Sequence, residues 1–561
     1  MKMAKPDRSE SEALRQASLC IQRGEWLSAE GMLRYLLEGN PGHAEALRLL
    51  AELCFAQGRA SEALEAYDEM SRSRPHDAET SYNRGVVLSA LGRHEDALAS
   101  FDQTLARSPR DVAALINRGN ALHSLRRFAD ALAAFDAVLD LAPRNADARY
   151  NRGNALLALG RYEEAVASFD AAIAVRPNQP EMMLNRGIAL AALGRQLEAL
   201  EMYRAVLAID PRRAEAHYNS GNALHALERD VEAVASYDAA LALQPQHADA
   251  HWNLAWALLA LGDYERGWQE HEWRSKSQRW LAPPPRTSAP LWLGAPECAD
   301  RRLLVLSEQG TGDTVQYLRY VPLLAACGAK VMIELPRALA RFCAPFRKHA
   351  TLVFDDEALP RHDLYCPIAS LPLAFGTRVE TIPAQIPYIE ADPELVARWR
   401  ETIEPATLRA GLVWAGNPKQ GSEARRGIGL AHCLPLLTVP EVRWYSLQVG
   451  ERASDLSRLA PSGAIDLSPQ LTDFAETAAA IANLDLVITT DTAVAHIAGA
   501  MGKPVWILLK FAADWRWLRG RDDSPWYPSA RLFRQKAPGE WPELIERVKA
   551  ELVEAARGRR A

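Results

Sequence analysis

Prolines at positions 41, 75, 109, 143, 177, 211 and 245 recur every 34 residues, and no feature of this chain restricts its fold more. Glycines keep the same period at Gly24, Gly58, Gly92, Gly160, Gly194 and Gly262, with Arg126 and Glu228 in the two remaining places. Each period holds two amphipathic segments, the second with a small residue four before an aromatic one: Ala97 and Phe101, Ala131 and Phe135, Ala165 and Phe169. A pattern of this kind predicts helix–turn–helix units that cannot bury their apolar stripe alone and must stack to complete a core. Residues 10–275 are therefore expected as an α-solenoid, after a tail over 1–9.

In length, helical plan and exit proline the unit resembles the tetratricopeptide repeat. That resemblance implies first helices lining a concave face that receives a protein partner. Asn83, Asn117, Asn151, Asn185, Asn219 and Asn253 fall on those first helices with the same period. An amide both donates and accepts, which suits an extended peptide backbone, and the same groups serve equally for bonds between repeats. Arg84, Arg118, Arg152 and Arg186 follow the asparagines and read as a solvated helix face. From Trp252 the chain turns rich in tryptophan (Trp252, Trp256, Trp268, Trp273, Trp280), as expected where a solenoid is capped and docked to a neighbour. Pro283 to Pro285 mark a linker over 276–299.

A chain of 561 residues holds more than one domain. The formal charge of -6 argues against a general nucleic-acid binder. Seven scattered cysteines without a C-x-x-C pair point to reduced thiols in the cytoplasm and to no zinc site. The N-terminus lacks the apolar core of a signal peptide, and no apolar run reaches the ~18 residues of a membrane span.

From Arg302 the pattern alternates between short apolar β segments and helical ones, which predicts parallel sheets covered by helices on both faces. Two Rossmann-like halves are expected, 300–392 and 393–561, the second ending in a helix. In the first, strands near 302–306, 330–334, 351–354 and 364–367 alternate with helices over 314–327 and 336–346. In the second, Leu486–Thr490 is a buried strand, Ala493 to about Met501 a helix, and Val505–Leu509 the next strand. The N-terminus of that helix, with its free N–H groups and dipole, is receptive to phosphate. Four loops converge on the cleft: Gly310–Asp313, Trp414–Lys419 with Arg425, Gln448–Glu451, and Asp491–His496. Gly312, Asn417, Lys419, Arg425, Gln448, Asp491, Thr492, Ala493 and His496 are the expected donor contacts, and Asp313 the general base. Simpler roles are open for each: Asp313 capping a helix that starts at Thr314, Asp491 or Thr492 capping the next, and His496 packed against the sheet.

GTGDTVQYLRYVPLL and DTAVAHIAGAMGKPV resemble the two signature stretches of glycosyltransferase family 9, the heptosyltransferase-type enzymes. The resemblance implies a GT-B fold, a nucleotide-diphosphate sugar as co-substrate with no further cofactor, inversion at the anomeric carbon and no metal. By it Asp313 matches the base, Asp491, Thr492, Ala493 and His496 the donor loop, and Lys419 or Arg425 the phosphate-binding cation. A tetratricopeptide array joined to such a domain is similar to the protein O-GlcNAc transferases, which implies a polypeptide or saccharide acceptor presented by the array. The alternative expectation is an interaction scaffold whose transferase part is inactive. The first half is shorter than is usual for GT-B.

Overall fold

The computed structural model describes residues 8–280, 283–295, 297–416, 427–459 and 463–558. The chain divides into two compact units, Met1–Asn219 and Ser220–Ala561.

The first unit is helical, each helix from Arg8–Gln22 to Gln196–Ile209 packing on the next. The turn inside each repeat needs one left-handed residue. Gly24, Gly58, Gly92, Gly160 and Gly194 supply it at φ +73° to +78°, where glycine meets no Cβ penalty. Arg126 takes the same conformation at φ +59° despite its side chain. In several turns between repeats the residue two after the proline caps the next helix, as three of them illustrate. Asp77, Asp111 and Asn145 accept from the N–H groups of Thr80, Ala114 and Ala148 at 2.9–3.0 Å. A row of glycines in the first helices admits the aromatic ring of the second. A Cβ at Gly153 would lie 2.5 Å from the Phe169 ring, and one at Gly119 2.5 Å from Phe135.

The arginine row is not a solvated face. Arg84, Arg118, Arg152 and Arg186 pair at 2.5–2.7 Å with Asp68, Asp102, Asp136 and Asp170, each sixteen residues earlier in the chain. The charge is consumed in holding a first helix to the second helix of the preceding repeat.

The second unit begins with the last helices of the array, Asp230–Leu243, Ala248–Leu261 and Tyr264–His271, and a 3-10 turn at Glu272–Lys276. The stretch expected as a linker lies partly along a sheet edge: Leu291 bridges Tyr365, and the buried Trp292 donates its N–H to the Tyr365 carbonyl at 2.8 Å. Then come β1 (Arg302–Leu306), β2 (Lys330–Leu335), β3 (Thr351–Phe354) and β4 (Leu364–Pro367), a parallel sheet ordered β3-β2-β1-β4. The second sheet holds β5 (Leu408–Val413), β6 (Val442–Ser446), β7 (Ile465–Asp466), β8 (Leu486–Thr490), β9 (Val505–Leu509) and β10 (Ala530–Arg534), ordered β10-β9-β8-β5-β6-β7 and parallel throughout. Strand order in this half reverses between β5 and β8, the position where open α/β sheets bind ligands beyond the carboxyl ends of their strands. Helix Trp541–Gly558 closes the chain.

Three expected helices are corrected. The first α/β helix starts at Thr311, not Thr314, and passes through a 3-10 turn at Leu318–Tyr320 into Val321–Ala326. The segment 336–346 is a pair of 3-10 turns, Arg337–Leu339 and Ala344–Lys348, because Pro336 and Pro345 withhold donors that an α-helix requires. A third helix, which the spacing of apolar residues over 471–482 predicts from Leu471, begins at Phe474, where Asp473 accepts from the Glu476 N–H at 2.9 Å.

Candidate active site

The buried β8 delivers Asp491 to the carboxyl edge of the second sheet, and helix Ala493–Ala500 starts two residues later. Thr492 occupies the N-cap position without a side-chain capping bond; its hydroxyl shares a 3.0 Å hydrogen bond with Thr489 instead. The first turn of this helix thus lacks a capping side chain from its own N-cap residue. Asp491 and Thr492 are each 8 % exposed.

Facing it, β1 runs into the loop Ser307–Gly310 and the helix Thr311–Tyr317. Gln309 is held at φ +64°, a conformation that a non-glycine residue keeps only where its surroundings impose it. On one side of Gln309, the partly buried Glu308 carboxylate accepts from Arg274 Nη2 at 2.6 Å and from the Ala369 N–H at 3.3 Å. Arg274 is itself fully enclosed and also binds Glu272 at 2.7 Å and Ser370 at 2.7 Å. Burial is the largest influence on Glu308 and lifts its pKa above the usual carboxylate value, against the pull of Arg274. On the other side, Asp313 Oδ2 accepts the Gly310 N–H at 2.9 Å. The capping role open to Asp313 is therefore filled, though from the third helical position.

Asp313 Oδ1 pairs with Arg516, so the two halves meet through an ion pair. Arg516 further donates from Nε to Gln316 Oε1 at 2.6 Å and from Nη1 to Asp514 Oδ1 at 2.8 Å, with its guanidinium 4.5 Å from the Trp515 ring centroid. Burial opposes its charge, but Asp313 and Asp514, with Tyr317 and Asp491 behind them, outweigh this and hold the guanidinium protonated well above its ordinary pKa. Beside it, Gln316 Nε2 and the Tyr317 hydroxyl are buried without a hydrogen-bond partner. Among the described residues no group of three or more His, Cys, Asp or Glu side chains is placed to hold a metal ion.

Gly312 makes the contact possible: a Cβ there would stand 2.8 Å from His496 Cδ2 and 3.6 Å from the Ala493 Cα. His496 is buried, with Nδ1 2.9 Å from the Tyr527 hydroxyl and its ring stacked on Trp517 at 5.6 Å. Gly312, Asp313, Asp491, Thr492, Ala493 and His496 thus come together, with His496 packed on Tyr527 and Trp517. Gln448 is at the same sheet edge but turned to structure: its amide accepts from the Trp414 and Ala415 N–H groups and donates to the Ala415 carbonyl at 2.9–3.1 Å. Asn417, Lys419 and Arg425 lie outside the described residues. Arg516 was not among the expected site residues; its one sequence signal is an arginine set between two tryptophans beside Asp514.

The asparagine row bonds between repeats. Asn117 donates to Tyr82 at 3.0 Å, Asn151 to Asn120 at 2.9 Å, Asn185 to Asn154 at 2.8 Å, and Asn253 to Asn222 at 2.7 Å. No hydrogen bond to the Oδ1 atoms of Asn151 or Asn185 occurs among the described residues. A cavity of about 210 Å³ opens on this row, lined by Asn120, His123, Ser124, Phe135, Asn151 and Asn154. Asn83 and Asn219 are half-buried in the same register. The aromatic tail docks on the last helices of the array: Trp526 Nε1 donates to the Tyr264 hydroxyl at 3.0 Å, Trp515 meets Trp268 edge-on at 5.2 Å, and Arg519 pairs with Asp230 at 2.7 Å.

Profiles of the tetratricopeptide repeat match residues 21–81, 82–146, 124–180, 150–212 and 221–262. The profile of glycosyltransferase family 9 (heptosyltransferase) matches residues 448–510, a span that includes Gln448 and the Asp491–His496 loop and stops short of Arg516. Protein FlbA of Caulobacter vibrioides is 29% identical over 332 residues, covering 53% of this chain and 54% of that protein. The match thus spans about half the length of that relative. Among solved structures, a tetratricopeptide repeat protein from Parabacteroides merdae aligns over 45% of this chain and 100% of its own at 20% identity and TM-score 0.37. YrrB, described as a TPR protein with an unusual peptide-binding site, aligns over 33% of this chain and 96% of its own at 28% identity and TM-score 0.30. The chain therefore carries tetratricopeptide repeats through its first half and, at the carboxyl edge of its second sheet, a segment matching glycosyltransferase family 9, which supports glycosyltransferase activity in general.

Proposed function

We propose that this protein transfers a sugar from a nucleotide-diphosphate donor to a hydroxyl of a protein or saccharide acceptor presented by the repeat array. One observation carries the reading: an acid from the first half, Asp313, meets a buried cation and the N-terminus of helix Ala493–Ala500 from the second, beside the point where strand order reverses. In a single displacement the acceptor oxygen bonds to the anomeric carbon, the bond from that carbon to the diphosphate breaks, and Asp313 takes the acceptor proton. Inversion follows from that one step. Negative charge growing on the diphosphate is met by helix N–H groups and protein cations, so this reading calls for no metal. All seven cysteines are free, which suits a reducing cytoplasm.

Calorimetry of the full chain against nucleotide-diphosphate sugars tests it. One donor should bind, Asp491→Ala should weaken that binding at least about tenfold, and Asp313→Ala should keep binding while losing turnover by about 100-fold or more. The rival reading, a scaffold with an inactive transferase part, is favoured by the closure of the site: His496 is 5 % exposed, and the cavity beside Asp491 measures only about 10 Å³. Failure of every donor to bind, with capture of peptides by the array, would select the scaffold.

A further inference from the structure

Arg516 is shared between two carboxylates, one from each α/β half. Asp313 and Asp514 bind it directly, and Asp491 lies close enough to act on its charge. It is buried, so dissolved ions cannot stand in for it. Two donors at its side, Gln316 Nε2 and the Tyr317 hydroxyl, are fully buried and serve no acceptor. Buried donors left unmatched at this density call for a missing acceptor, and a diphosphate brings several acceptor oxygens with two or more negative charges.

We propose that Arg516 is a donor-dependent latch: in the empty site it holds Asp313, and the diphosphate of the donor draws the guanidinium to itself and leaves Asp313 for the acceptor. The inference rests on the transferase reading above. It adds an order of events. The base is engaged until the donor is seated, so an acceptor arriving first meets a carboxylate already occupied by Gly310 and Arg516. It also makes Asp313 a competitor of the donor for one positive charge, and that competition is measurable without knowing sugar or acceptor.

The test is a double-mutant cycle on the full chain, read as the calorimetric affinity for ADP, GDP, UDP, dTDP and inorganic pyrophosphate. Asp313→Asn, which keeps the shape of the side chain and removes its charge, should tighten binding about tenfold by releasing Arg516. Arg516→Met should weaken it about 100-fold. In the Arg516→Met background, Asp313→Asn should change affinity by less than about twofold. Tightening of equal size in both backgrounds would mean plain repulsion between Asp313 and the ligand and would overturn the latch, as would no tightening at all. If Arg516→Met does not fold, Arg516→Lys supplies the background, and the gain from Asp313→Asn should shrink there because an ammonium lacks the planar fork. A wild-type chain that binds none of these probes removes the transferase reading itself, and the latch with it.

Discussion

In the repeat array a side chain finds its partner at a fixed distance along the chain; where the two α/β halves meet each other and the last helices of the array, it finds one at no predictable distance. Arg84 reaches Asp68 across 16 residues, Asn151 reaches Asn120 across 31, and the same offsets return repeat after repeat. Arg516 reaches Asp313 across 203 residues, Arg319 reaches the Trp526 carbonyl across 207, and Arg519 reaches Asp230 across 289. The array is stabilised by many similar, nearly independent contacts between neighbours. The junction concentrates buried charge and aromatic surface in a few contacts, each different. Damage should accordingly stay local in one and spread in the other.

The largest expected effect is at Arg274. Arg274→Met removes the buried cation that Glu308 and its neighbour Glu272 share, both mostly shielded from water, at a cost of roughly 3–5 kcal/mol in denaturant unfolding of the second unit. The pH dependence follows in sign. Glu308 has a folded pKa raised above its unfolded value, so its contribution is most favourable below the ordinary glutamate value of about 4.3 and is lost as pH rises through the folded one. Without Arg274 that loss deepens, so the variant should recover stability toward pH 5, and adding Glu308→Gln should restore it at neutral pH. A variant that unfolds identically across this range would break the account of the junction.

A smaller effect is expected in the array. Gly153→Ala pushes a methyl into the Phe169 ring, whose nearest atoms lie at 2.5 and 2.8 Å, and overpacking of this kind costs about 1–3 kcal/mol. Hydrogen exchange should quicken in the helices adjoining Ala146–Ala158 and nowhere in the second unit; a chain-wide change would mean the array is not modular. Smallest is Arg152→Met. Its partners Asp136 and Ser168 lie at 2.6 and 2.5 Å, but Asp136 is half exposed, so thermal unfolding should register only about 0.5 kcal/mol.

The same contrast decides what could be read in the sequence. The array was legible because periodicity reports on stacking: Arg126 was placed in the glycine row by register alone, and it adopts the glycine conformation. Strands Leu486–Thr490 and Val505–Leu509 were legible because strands buried on both faces are apolar without interruption. The arginine row was misread because a charge followed by a helix turn looks solvated until its partner in another repeat is seen. Within the site, Asp313 and the Asp491–His496 loop stood out by their glycine and helix-start context. Arg516 did not, since Asp313, Asp491, Asp514, Asp522 and Asp523 are equal candidates for its partner on paper, and only the joining of two halves selects among them. Pro336 and Pro345 carried a warning against the helix between them that apolar spacing had outweighed.

The compact division of the chain at Asn219 and Ser220 falls inside helix Ala214–Ala226, well before the proline-rich stretch that looks like a border. The final helical pairs thus belong with the α/β sheets, and the freely exchangeable part ends upstream of them. Whole repeats inserted or deleted before that helix would change the length of the array in 34-residue increments while leaving the core of the second unit untouched. Such steps are cheap evolutionary currency, whereas a recombination at the prolines would discard Tyr264, Trp268 and Arg274 and with them the footing of the α/β sheets.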